Sequence, residues 1–143
     1  MTNRILKTDN DFGIIIIRLM VGAVFLSEGI QKFLFPAELG AGRFERIGLP
    51  VPEFLGTLVG LFEILCGALL LLGLATKLAS IPVIIIMLVA IATTKGVVLR
   101  EEGFWPMMHG SRTDWAMLLG SLFLLLKGGG RWSVDRIIEK HVK

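Results

Sequence analysis

Four long apolar stretches, at residues 12–35, 54–74, 78–95 and 113–127, constrain this chain more than any other feature. A helix in a soluble domain keeps a polar stripe for water, whereas these stretches are greasy on every side, as expected where the solvent is hydrocarbon. About 20 helical residues, rising about 1.5 Å each, cross a bilayer core of about 30 Å, so each of the first three can span. The fourth is short. Lys127 can snorkel at one of its ends and Trp115 can sit at headgroup level at the other. The chain has 143 residues, of which 54% are hydrophobic, and a mean hydropathy of +0.75, above the usual share for soluble domains. The expectation is an all-α integral membrane four-helix bundle forming one domain over residues 1–143.

The connections fit this reading. Between the first two spans lies PAELGAGRFERIGLPVPE, where Pro36, Pro50 and Pro52 break the helices. Phe44, Ile47 and Leu49 in that segment suit a short element lying on the membrane surface. Ala75, Thr76 and Lys77 alone separate the second and third spans, which forces an antiparallel hairpin. Residues 95–112 form a polar connection carrying Trp105, Pro106 and His109. The polar start MTNRILKTDND leads into a stretch too long for a signal-peptide core, so the first span is expected to be retained. The tail GGGRWSVDRIIEKHVK reads as a glycine break and then a short amphipathic helix, with Ser133 as N-cap and Ile137, Ile138 and Val142 on its apolar side. Such a basic helix suits an anionic inner leaflet.

Counting basic residues outside the spans sets the expected orientation. Arg4, Lys7, Lys77, Lys127, Arg131, Arg136, Lys140 and Lys143 fall on one side, eight in all, against five on the other: Arg43, Arg46, Lys95, Arg100 and Arg112. The positive-inside rule then puts both termini in the cytoplasm, with the cytoplasmic membrane as the expected location.

Several chemistries are set aside at this level. The net charge of +3 comes without a basic patch interleaved with aromatics, so nucleic acid is not an expected partner. Cys66 is the single cysteine, which excludes an intrachain disulfide, a CxxC pair and a cysteine-based zinc site, and it reads as packing. No metal site is expected, because His109, near Met107 and Met108, has no second histidine or cysteine beside it. Trp105, Trp115 and Trp132 read as interface anchors.

The informative residues are charges placed where lipid should be. Arg18, Glu28 and Lys32 lie in the first span and Glu63 in the second, at depths where an unpaired charge is expensive. At about 100° per residue, Lys32 and Glu28 fall within about 80° of Arg18 around the helix, and Gly22 and Gly29 border that sector. Gly56, Gly60, Glu63 and Gly67 share an arc of about 60° on the second helix, so the two slim faces can meet with their ionisable groups inside. The expected pairs are Arg18 with Glu63, and Glu28 with Lys32 in the favourable i, i+4 order. Asp114 reads first as a helix-start charge and second as a member of the cluster. The four charges sum to zero, which suits either structural glue or a polar ligand site.

The stretches IIRLMVGAVFLSEGIQKF and GLPVPEFLGTLVGLFEILCGALLLLGLATKLAS, with the ending GGGRWSVDRII, resemble the DoxX family of small four-helix membrane proteins. The resemblance runs from Gly13 to Ile138. Arg18, Lys32, Glu63 and Ser133 to Asp135 match the family pattern, and Asp114 stands where relatives often carry glutamate. The family is named for a membrane subunit of a thiosulfate:quinone oxidoreductase, so the resemblance implies quinone-linked redox work or anchoring of a redox partner protein. With no haem-ligand pair, cysteine cluster or dinucleotide loop, the chain is expected to hold no cofactor of its own and to act as an accessory subunit, with quinone as a ligand. Two rivals stand beside this: a small proton-coupled permease, which would need a homo-oligomer, and a non-catalytic scaffold.

Overall fold

The computed structural model describes residues 5–142, apart from the side chain of Val142. Arg4 and Lys143 of the charge count, and Val142 of the tail's apolar side, therefore lie outside the described residues. Among the described residues every regular element is helical. Three helices are long and apolar enough to cross a membrane: α1 (Ile14–Leu34), α3 (Pro52–Leu72) and the rod Thr76–Glu101. That rod consists of α4 (Thr76–Ala90), a π-helical turn (Ile91–Lys95) and α5 (Gly96–Glu101). Shorter elements complete the chain: α2 (Ala41–Arg46), α6 (Phe104–Gly110), the 16-residue α7 (Arg112–Lys127) and α8 (Val134–Val142). α7 packs along α4 and, less extensively, α1.

Local chemistry places the boundaries. Pro52 opens α3, where its fixed φ suits a first helical turn and its missing N–H costs nothing. Gly73 ends α3 at φ +67°, with its N–H donating to the Leu70 carbonyl and the Leu74 N–H donating to the Leu69 carbonyl. This left-handed exit satisfies two carbonyls at the helix end and turns the chain straight into α4.

α1 and α3 form the tightest antiparallel pair because glycines remove the side chains between them. A Cβ at Gly67 would stand 2.5 Å from the Leu26 nitrogen, and one at Gly29 would stand 2.8 Å from the Gly60 carbonyl oxygen. Phe25, Val21, Leu70, Val83 and Leu124 fill the interior beside this seam. Outward faces carry large apolar side chains such as Ile16, Leu61, Leu65 and Ile85, a surface that only hydrocarbon or a partner would cover cheaply.

The third hydrophobic segment departs from its expected end near residue 95. It continues to Glu101, because Lys95 is tied to Asp114 of α7 and so does not have to leave the bundle for water. The expected polar connection of residues 95–112 is consequently mostly helical, holding α5 and α6.

Candidate functional site

The charges of the first two spans divide between opposite ends of the bundle. Gly22 faces Gly67 and Leu71, while Gly29 faces Gly60 and Ile64. This register carries Arg18, one turn before Gly22, to the α3–α4 turn, and sets Glu63 level with Lys32. The expected Arg18–Glu63 pair does not form. The helical angles had placed both residues on the shared face, but the height at which the glycine seams lock keeps them apart.

At the first end, Arg18 is buried and its Nη1 donates to the Gly129 carbonyl at 2.6 Å. Its guanidinium lies against Gly73, where a Cβ would come within 2.5 Å of Nη1. Asp135 is 1% exposed and accepts from the Ala75 and Thr76 backbone N–H groups at 2.6 and 2.9 Å, capping the start of α4. Its own N–H donates to the Gly73 carbonyl. Ser133 Oγ accepts from the Arg136 N–H at 3.2 Å, so it does cap α8. The N-terminal segment joins this knot: the Gly130 N–H donates to Thr8 Oγ1 at 2.6 Å, and Asp9 bridges to Lys127 at 2.8 Å. Most of the donors named here meet a structural acceptor, although Arg18 Nε and Thr76 Oγ1 are buried without one. We read this end as a clasp.

The other end holds a cavity of about 420 Å³. Lys32 Nζ lies 2.7 Å from Glu63 Oε2, and the two side chains are only 9% and 4% exposed. Glu28 is 4.0 Å from Lys32 in the expected i, i+4 pairing, with its own side chain 45% exposed. Asp114, in the first turn of α7, both starts that helix and lines the cavity, and it meets Lys95 at 3.4 Å. The walls between these charges are apolar: Phe25, Val59, Ile86 and Met117 from four different helices. Phe44, Ile47 and Leu49 close it from the segment around α2. A second depression of about 500 Å³ near Pro36 and Pro52 contains only Glu45 and Glu53 as charged groups and lies away from the buried pair.

The π-helical turn borders the cavity. The hydroxyls of Thr93 and Thr94, which line it, donate back to the carbonyls of Val89 and Ala90 at 2.7 and 2.5 Å. Those bonds satisfy carbonyls that the widened turn would otherwise free, and such turns concentrate at functional sites.

The family model for DoxX matches residues 13–96, from the residue before α1 to the first residue of α5. The chain belongs to the DoxX family. The matched span carries Arg18, Lys32 and Glu63, so both the clasp arginine and the buried pair of this DoxX protein lie inside it. Over 144 residues the chain is 53% identical to the "Uncharacterized membrane protein Rv3486" of Mycobacterium tuberculosis, covering 96% of this chain and 88% of that one. It is 29% identical over 133 residues to the "Putative oxidoreductase CatD" of Bacillus subtilis, covering 93% and 92% respectively. No solved structure matches the chain. This DoxX-family chain is thus an integral membrane protein with bacterial relatives.

Two residues important to this DoxX site and clasp carry weak signals in the sequence. Arg43 lines the cavity from α2, and the signal for it was its place in the surface-lying segment. Asp135 was read as part of a family pattern, but its capping of α4 spans 59 residues of chain and leaves no local trace. His109 is exposed at the end of α6, Cys66 is buried in the core, and Trp105 and Trp132 are exposed.

Proposed function

We propose that this protein is a quinone-binding membrane subunit that serves a redox partner, with the quinone ring seated in the cavity against Lys32 and Glu63. The observation that carries this reading is an apolar chamber of about 420 Å³ that ends in a buried ion pair. Ligand sites of this kind are mostly apolar, with a few convergent polar groups fixing orientation. The Lys32 ammonium suits a ring carbonyl oxygen and would stabilise negative charge arriving there on reduction. Glu63 beside it is placed to exchange a proton at that oxygen. Two electrons and two protons convert a quinone to a quinol; the electrons would come from a redox centre of the partner, since this chain supplies no haem pair or cysteine cluster, and both protons from water, one of them relayed through the Lys32–Glu63 pair. The similarity to a chain named an oxidoreductase supports the same direction.

In the membrane we propose that α7 crosses as a fourth span, with both termini in the cytoplasm and α8 lying on the inner leaflet. Its 16 residues suffice if Lys127 snorkels and Trp115, 39% exposed, sits at the opposite interface. Labelling of single cysteines introduced near residues 5 and 140 from outside intact cells would overturn the orientation.

The test of the function is direct. Protein purified in a mild detergent should carry extractable quinone, and the Lys32→Gln/Glu63→Gln double variant, purified in parallel, should carry little. Equal quinone content in the two preparations would defeat the assignment of the site, and absence of quinone from the wild type would defeat the reading itself.

A further inference from the structure

Among the described residues, one cation lining the cavity is left without a side-chain partner. Lys32 is held by Glu63 and approached by Glu28, and Lys95 is held by Asp114. Arg43 lines the same cavity, yet among the described residues it makes no hydrogen bond or ion pair from its side chain. Its charge reaches Glu63 only through space.

The element bearing Arg43 is firmly seated. Arg46, one turn further along α2, donates to the carbonyls of Ala37 and Glu38, both at 2.8 Å. A Cβ at Gly56 of α3 would stand 2.9 Å from the Ala41 nitrogen, so the start of α2 rests directly on the α3 backbone. One arginine of this short helix thus fastens it, and the other, half-buried, lines the chamber with no side-chain partner among the described residues. Glu28, the acid left over in the same cavity, is 45% exposed on its side chain and keeps its water.

We propose that Arg43 is a specificity-determining residue, selecting ligands that present an ionised oxygen beside a carbonyl at the end of the ring facing α2. This deepens the quinone reading and rests on it. A guanidinium offers its donors in a rigid planar fork that matches two neighbouring oxygens, which a lysine cannot do. Lys32, already neutralised by Glu63, suits a neutral carbonyl; Arg43 suits the charged or paired oxygens. The site is therefore polarised, with a neutral acceptor at the α1–α3 pair and an acidic oxygen at α2.

The test compares 1,4-naphthoquinone with 2-hydroxy-1,4-naphthoquinone, whose ionised hydroxyl adjoins a carbonyl. Each is equilibrated by dialysis with the full-length protein in detergent, against protein-free micelles. The hydroxy compound should bind about tenfold more tightly, as a charge-assisted pair of bonds in an apolar site implies. Arg43→Gln should weaken binding of the hydroxy compound about tenfold more than that of the plain naphthoquinone, erasing the preference, and Arg43→Lys should keep only part of it. Equal binding of the two compounds to the wild type, or an equal loss of both in Arg43→Gln, would overturn the role of Arg43 and leave the quinone reading standing. Failure of both compounds to bind the wild type would remove the quinone reading and this inference with it. Arg43→Lys, which keeps the charge and loses the fork, carries the test where Arg43→Gln fails to fold, and an undiminished preference in it would overturn the role of the fork.

Discussion

Lys32 and Glu63 meet at 2.7 Å because Lys32 extends over a glycine: a Cβ at Gly60, one turn before Glu63, would stand 3.5 Å from the Lys32 Cβ. The same bare helix faces that let the backbones touch also bring an ammonium and a carboxylate together in a place with little water. Such a pair is costly to break and cheaper to remove whole.

Glu63→Gln and Lys32→Gln should each therefore destabilise the protein by about 3–5 kcal/mol, and the double change should recover most of that loss. Thermal unfolding in detergent measures both. Combined with Arg18→Gln, by contrast, Glu63→Gln should give additive losses, because the two residues occupy opposite ends of the bundle. Strong coupling between Arg18 and Glu63 would contradict the register described above.

Asp135→Ala should remove both acceptors from the start of α4 and expose the α3–α4 turn to local opening, at a cost of about 2 kcal/mol. Limited proteolysis or hydrogen exchange at Ala75 and Thr76 would report it. A variant that leaves protection at those two amides unchanged would show that the clasp does not depend on this carboxylate.

Gly67→Ala would drive a methyl group toward the Leu26 backbone and should cost about 1–3 kcal/mol, with α1 and α3 forced apart. Gly96→Ala is the internal control. Nothing lies within 4 Å of the position a Cβ would take there, and the residue is helical, so alanine should be neutral or stabilise by up to about 1 kcal/mol. The melting temperature should fall in Gly67→Ala and hold or rise in Gly96→Ala.

The hydrogen bond and charge of Lys127 hold the Asp9 carboxyl below its ordinary value of about 3.9. A carboxylate depressed in the folded state contributes stability above the unfolded value and loses it as pH falls through the lower folded value. Because both partners are half-exposed, this contribution should be small and weaken further in salt. An NMR titration of the Asp9 carboxyl should show the low midpoint in wild type and its return toward 3.9 in Lys127→Gln. An unchanged midpoint would mean the bridge is absent in solution.

Much of the architecture was legible because apolar runs and proline or glycine breaks are local signals. The charged side of α1 and the glycine side of α3 were legible for the same reason, since the angle around a helix follows from spacing alone. What spacing does not carry is the height at which two helices lock. Arg18 and Glu63 share a face, but the contacts of Gly22 with Leu71 and of Gly29 with Gly60 decide that Lys32, not Arg18, is the partner. Lys95 was read as the start of a polar connection because its ion partner, Asp114, lies 19 residues away on another helix. The clasp was least legible, since Thr8 and Gly130 are 122 residues apart and each is unremarkable in its own neighbourhood.

That clasp also sets an order of events in biogenesis. Gly129 and Asp135 emerge from the ribosome after α1, α3, α4 and α7, yet Arg18 and the Ala75 and Thr76 amides find their acceptors in them. Until those residues are made, the arginine and the α3–α4 turn lack these acceptors. Arrival of Gly129 and Asp135 then ties α1 to the start of α4, so the bundle is fastened by a segment made after its helices.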